Sequence, residues 1–278
     1  MTERKDNLKH RAWYVAKVIL WYFFYQLVST YGFYALDKCA AWIAGNGQTT
    51  LFTDNALLAA SLFLSALLMI WHLVTFGYVK ISSRFFSEVT LSVLIKTVAL
   101  IFGSMYVLNV AMEWIALPDF MEDTFLELSD EPLAALSMAL LAPIVEEMMF
   151  RGAIQGYLMR RCSNAWTGII ITAVIFGAIH MNPQQVVYAT LLGIIFGWIY
   201  YRTRSLLPVI AGHVLNNSIA VVSMKLWGKE DMEAITVDEK IVMVPFLLLI
   251  IAVLIPLVRN INRALPAVPH PWREKSED

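Results

Sequence analysis

Eleven residues near the middle of the chain, Ala142-Pro143-Ile144-Val145-Glu146-Glu147-Met148-Met149-Phe150-Arg151-Gly152, set two carboxylates and a guanidinium in an apolar run. On a helix, Glu147 and Arg151 are four apart, share a face and can pair. Glu146 points about 100° away around the axis. Neighbouring carboxylates in a poorly solvated setting resist both being ionised. The pair therefore divides into a structural glutamate held by arginine and a second one free to act as a base. Two further sites follow. Phe176-Gly177-Ala178-Ile179-His180 ends one apolar segment, and His213-Val214-Leu215-Asn216-Asn217 lies inside another, with His213 and Asn217 on one helix face. A glutamate, two histidines and an asparagine around one wet cavity can hydrolyse an amide. The carboxylate, helped by a histidine, takes a proton from water, and a His–Asn pair donates to the developing oxyanion. Glu146, His180 and His213 also form a possible zinc set of two histidines and one carboxylate. The sequence contains no His-Glu-x-x-His helix. No Gly-x-Ser-x-Gly or Asp pair inside the apolar runs points to a serine or aspartyl mechanism.

These residues must be positioned by a membrane. The 278 residues are 59% hydrophobic and 15% charged, with a mean hydropathy of +0.62. Soluble domains run nearer 45–50% apolar and about 25% charged. The composition excludes a disordered chain, a nucleic-acid-binding domain and a disulfide scaffold. A net charge of −1 marks no polyanionic partner. Cys39 and Cys162 match no ligand spacing.

Apolar segments at about 12–36, 55–78, 89–112, 133–158, 165–181, 184–201, 206–226 and 241–258 predict an all-α, polytopic fold of about eight transmembrane helices. The first is read as an uncleaved span. Pro183 and Pro208 mark helix boundaries. Lys and Arg test the topology. Alternate loops and the two tails hold fourteen, the opposite loops four and the spans three, accounting for all 21. This predicts both termini inside. The acidic stretch from Glu113 to Glu131 is expected outside as a solvated loop or surface helix. Three regions are expected: residues 1–131 with the first three spans and the acidic loop, a catalytic core over 132–225, and 226–278 with the last span and a polar tail. Lys17 and Lys96 are expected to snorkel, His72 to sit at the interface, and Gly193 and Gly197 to allow close helix packing.

The three motifs, in this order on successive apolar helices, resemble the CPBP family of CAAX proteases and bacteriocin-processing or abortive-infection proteins. Glu-Glu-x-x-x-Arg falls on Glu146, Glu147 and Arg151. Phe-x-x-x-His falls on Phe176 and His180, and His-x-x-x-Asn on His213 and Asn217. The resemblance implies an intramembrane endopeptidase whose site opens toward the cytosol. It implies a catalytic set of Glu146, Glu147, His180, His213 and Asn217. Glu146 and His180 would activate water, and His213 and Asn217 would form the oxyanion hole. Glu147 and Arg151 would hold the geometry, with Phe176 beside them in support. A metal-free mechanism is expected, with zinc on Glu146, His180 and His213 as the alternative. The expected partners are a peptide or membrane-protein substrate and the lipid bilayer, with no nucleic acid, and the expected location is a bacterial cytoplasmic membrane. A non-catalytic immunity or scaffold protein of the same fold is the competing reading. A proton-relay transporter is the third, and no internal repeat supports it.

Overall fold

The computed structural model describes residues 8–45, 50–80, 89–227 and 237–268. Nine helices account for nearly all ordered structure there, with no strand among the described residues. They are α1 (Leu8–Ala44), α2 (Asp54–Thr75), α3 (Leu91–Ile115), α4 (Glu122–Asp130), α5 (Pro132–Met159), α6 (Ala165–Ala178), α7 (Pro183–Thr203), α8 (Leu207–Trp227) and α9 (Val237–Ala264). Local chemistry sets the ends. Thr53, Thr90 and Asn164 cap the first turns of α2, α3 and α6 through their side-chain oxygens. Pro132, Pro183 and Pro208 lie in first turns, where no amide hydrogen is missed.

Among the described residues, six helices are long and apolar enough to cross a bilayer: α2, α3, α5, α7, α8 and the Met243–Ala264 part of α9. The chain is a multi-pass integral membrane protein. All eight expected segments are helical. α1, at 37 residues, is the longest. Its rise of about 55 Å exceeds the roughly 30 Å hydrocarbon core, so it overhangs. α6 has only 14 residues. It rises about 21 Å and reaches the far side through the turn that carries His180.

The helices α5, α6, α7 and α8 form the centre, with α3 against α7 and α8, α2 against α5, and α1 against α2. α9 packs on α3 at the periphery, with 6% of its span buried. The segments expected on one side of the membrane gather at one end of the bundle. Tyr14 stacks on Tyr157 with ring centroids 3.7 Å apart and touches Tyr78. Arg11 lies against Cys162. Arg202 donates to the carbonyls of Asn262, Leu265 and Pro266 at the end of α9. At the other end, Asp37 accepts from the Leu51 and Phe52 amides, and Asn182 reaches Asp119. The termini of the described chain thus share the end that carries Arg160, Arg161, Arg202 and Arg204. Arg4, Lys5, Arg84, Lys229, Arg273 and Lys275 lie outside the described residues, and so does His270.

One sequence reading is refined. His72, in the last turn of α2, is only 4% exposed and is packed inside the bundle end. Trp21, Tyr25, Phe76 and Tyr78 surround its ring, and the Tyr25 hydroxyl lies 2.9 Å from Nδ1. The acidic stretch forms the expected surface helix, α4, which docks against α5 and α8.

Candidate active site

The site begins in α5, which is not uniformly α-helical. Ser137–Leu141 and Met148–Gln155 are π-helical, and the α turn between them holds Glu146 and Glu147. Such widened turns recur at functional sites, because each rotates the following side chains and loosens a carbonyl. Here the Met138 carbonyl accepts from Asn217 Nδ2 at 3.0 Å.

Glu147 is fully buried. Its Oε1 accepts from Arg151 Nη1 at 3.0 Å and from His213 Nδ1 at 2.8 Å. Arg151, equally buried, donates through Nη2 to the Gly193 carbonyl at 3.3 Å. Its guanidinium lies 4.5 Å from the Phe176 ring centroid and 5.2 Å from that of Phe196. A buried cation thus has a carboxylate at its edge and aromatic faces above its plane. One turn on, Gln155 Nε2 donates to the Gly197 carbonyl at 2.8 Å. Both contacts need a bare α7 backbone. A Cβ on Gly197 would meet Gln155 Oε1 at 2.8 Å, and one on Gly193 would meet the Phe176 ring at 3.1 Å. The expected close packing at these glycines is the device that lets two polar side chains reach α7.

Glu146, on the other flank, faces a cavity of about 280 Å³ that His180, His213, Asn216, Asn217 and Tyr188 also line. Its Oε2 lies 3.7 Å from His213 Nε2, and its side chain is 12% exposed. His213 therefore stands between two carboxylates with different roles. Glu147 accepts from Nδ1 and fixes the ring, which leaves Nε2 facing Glu146 and the cavity. His180 is held by its own helix. Its Nδ1 lies 2.8 Å from the Phe176 carbonyl, an acceptor, so Nδ1 carries the hydrogen and Nε2 presents its lone pair. Phe176 thereby serves both histidine and arginine.

The structure brings Glu146, His180, His213 and Asn217 to one cavity and puts Glu147, Arg151 and Phe176 immediately behind it. Asn217 is more engaged than its spacing indicated. Besides donating to Met138, it accepts from Asn216 Nδ2 at 2.9 Å, and Asn216 accepts from the Tyr188 hydroxyl at 2.9 Å. Gln185 also lines the cavity. Tyr188, Met138 and Phe125 were missed from sequence: a tyrosine in an apolar run looks like belt or packing, and the other two are apolar residues that line the site only through the fold. Among the described residues, no group of three His, Cys, Asp or Glu side chains closes into a metal-binding cluster.

Among the described residues, the cavity lies toward one end of the bundle. Its lining comes from the first half of α5 (Met138, Ala142, Glu146), the first half of α7 (Gln185, Tyr188, Leu192) and α8 from His213 out to Met224, with Phe125 of α4 at the rim. Past Glu146 and His213 the bundle is solid. Phe150, Ile154, Phe196, Ile199 and Val209 are each 0% exposed.

Residues 128–219 match the family model described as type II CAAX prenyl endopeptidase Rce1-like. Over 91 residues the chain is 31% identical to the "Putative membrane peptidase YdiL" of Bacillus subtilis (strain 168). That stretch is 33% of this chain and 37% of the relative. No solved structure matches. The matched segment contains all three motifs in their expected order, and over that segment the chain is similar to CAAX-protease-like membrane peptidases.

Proposed function

We propose that this protein is an intramembrane endopeptidase that cleaves a peptide or membrane-associated protein by glutamate-assisted attack of water. The observation that carries the reading is the division of labour between adjacent glutamates. Glu147 is fully buried and committed to Arg151 and His213, whereas Glu146 faces the cavity with no partner closer than 3.7 Å from its carboxylate among the described ion pairs.

Water bound between Glu146 and His180 loses a proton to Glu146 as it attacks the scissile carbonyl. The His180 Nε2 lone pair accepts the second hydrogen of that water and orients it. The oxyanion forms toward His213 and Asn217. One Asn217 amide hydrogen is used by Met138, and the other is available. His213 gives Nδ1–H to Glu147, so it donates to an oxyanion from Nε2 only as imidazolium. The carboxylates of Glu147 and Glu146 on either side balance that charge. Collapse of the tetrahedral adduct returns the proton from Glu146 to the leaving amine. The proposed steps use this chain's own residues and route nothing through a metal. The protein acts in the cytoplasmic membrane of a bacterium.

The test expresses the full chain and its Glu146→Gln and His180→Ala variants in bacteria at equal membrane abundance. Membrane and released peptides are then compared by mass spectrometry. Peptides that appear with the wild type and vanish with both variants establish hydrolysis, and their new termini identify the substrate. A peptide profile unchanged by either variant overturns the reading and leaves a non-catalytic membrane protein of the same fold.

A further inference from the structure

We infer that the site takes its substrate from the extracytoplasmic face of the membrane, so the substrate is an exported peptide or the outer end of a membrane protein. The prenylated C-terminus of a cytosolic protein would have to arrive from the opposite side. The inference deepens the endopeptidase reading and rests on it for the word substrate. Its geometry stands independently.

Two observations combine. The first is the placement of the cavity toward one end of the bundle. Glu146 sits at the middle of α5, a helix of 28 residues from Pro132 to Met159. The carboxylate is therefore near mid-depth and could in principle be reached from either side. The side toward Pro132 is lined by cavity, and the side toward Met159 is filled by Phe150, Ile154, Phe196 and Ile199 at 0% exposure. Arg151 and Gln155 seal that floor further by bonding to the α7 backbone. A polypeptide cannot reach Glu146 through it without opening the core.

The second is charge. The sealed end carries Arg160, Arg161, Arg202 and Arg204 in its turns, with Lys9, Arg11 and Lys80 beside them and Arg259 and Arg263 at the end of α9. The open end carries Asp119, Glu122, Asp123, Glu127 and Asp130 around the rim, against Lys38 and Lys225. Short loops rich in Lys and Arg stay in the cytoplasm. The sealed end is therefore cytoplasmic and the mouth is outside. This reverses the cytosolic opening that the family resemblance implied. The mouth is structured: Asn182, fully buried, donates to Asp119 at 2.8 Å and accepts from the Phe120 amide at 3.1 Å. Those bonds hold the 116–121 segment against the turn after His180, with Phe125 at the rim.

The experiment reads sidedness directly. In a Cys39→Ser/Cys162→Ser background, single cysteines are placed at the mouth (Phe125→Cys and, separately, Met224→Cys) and at the sealed end (Lys80→Cys). Intact bacterial cells expressing the full chain are treated with a membrane-impermeant maleimide and compared with permeabilised membranes. The expected result is at least tenfold more labelling of either mouth cysteine than of Lys80→Cys in intact cells, with Lys80→Cys reacting only after permeabilisation. Preferential labelling of Lys80→Cys in intact cells, or equal labelling of both ends, overturns the inference. Loss of peptide release in Glu146→Gln is scored apart. Mouth cysteines that label from outside without any Glu146-dependent peptide keep the sidedness and remove the peptidase. Glu146-dependent peptides with mouth cysteines sealed from outside do the reverse.

Discussion

Replacing Glu147 should cost stability, replacing Glu146 should cost activity, and the two effects should hardly overlap. Glu147 Oε1 takes a hydrogen bond from Arg151 at 3.0 Å and from His213 at 2.8 Å, with side-chain exposures of 0%, 0% and 6%. Removing one partner of a buried pair strands the other charge, at about 3–5 kcal/mol. Glu147→Leu and Arg151→Met should each destabilise by about that amount. The double variant strands neither charge. What remains is the unmet His213 Nδ1–H, worth about 1–3 kcal/mol. The Gly193 carbonyl, inside helix α7, loses only a secondary donor. The double-mutant cycle should therefore show a coupling of about 3 kcal/mol or more, against the roughly 0.3–0.5 kcal/mol scatter of independent sites. By contrast, Glu146 is partly exposed and touches His213 only at 3.7 Å, too long for a good hydrogen bond. Glu146→Gln should change stability by less than about 1 kcal/mol while cutting turnover by about 10²–10⁴. The assay is reversible unfolding of bicelle-reconstituted protein in an SDS titration, with peptide release measured on the same preparations. Additive effects of Glu147→Leu and Arg151→Met, or a Glu146→Gln variant as unstable as Glu147→Leu, would refute the assignment of structural and chemical roles.

Asn217→Ala should lower turnover by about 10²–10³ through loss of an oxyanion donor, and stability by about 1 kcal/mol through its bond to Met138; a stability loss with full peptide release would make it purely structural. Gly177→Ala should destabilise by about 1–3 kcal/mol, because the new Cβ would meet the Val186 carbonyl at 2.5 Å and overlap Thr190 Oγ1; an unchanged unfolding midpoint would show that α6 and α7 can separate freely. Asn182→Asp should face a carboxylate with the Asp119 carboxylate, a repulsion of about 4 kcal/mol at about 4 Å for an effective dielectric of 20, relieved as pH falls and one of the two protonates. Adding Asp119→Asn should restore both stability and peptide release at neutral pH, since it returns one amide and one carboxylate to the pair; no rescue would mean the bond is incidental. Incubation with 1,10-phenanthroline should leave peptide release unchanged, and a loss restored by zinc would return the reaction to metal-dependent hydrolysis.

The spacing of Glu146, Glu147 and Arg151 was enough to separate the two carboxylates, because i,i+4 geometry on a helix survives almost any packing. The π-helical turns on either side leave no such mark, since they arise where tertiary contacts such as Asn217 to Met138 outcompete the regular ladder. The eight helical segments and their alternation were legible for the same reason that hydropathy works at all: a backbone in lipid must satisfy itself. The partner of Glu147 across the fold was not legible. Helical spacing pairs it with Arg151 alone, but half of its bonding goes to His213, 66 residues away. Nor was the role of Phe176, whose ring covers Arg151 while its carbonyl holds His180. Both are contacts between elements, and periodicity within an element carries no information about them.

The acidic segment shows how a correct local reading can miss the functional one. Asp119 to Asp130 reads as solvated because nothing in its composition demands burial, and several of its carboxylates are exposed. What draws it onto the bundle lies elsewhere, in the residue that starts α7. Asn182 occupies an N-cap position, where asparagine normally caps its own helix. Here it makes no side-chain cap bond and spends both amide atoms on Asp119 and Phe120. A cap forgone is worth about 1 kcal/mol, so the fold gives up local helix stability to fix the segment that rims the cavity, close in sequence to His180. Met181 between them sits at φ +52°, a left-handed conformation that costs a non-glycine residue about 1–2 kcal/mol. A strained turn holding a histidine therefore depends on bonds from α4's side of the molecule to keep its shape, which ties the acidic rim to the position of His180.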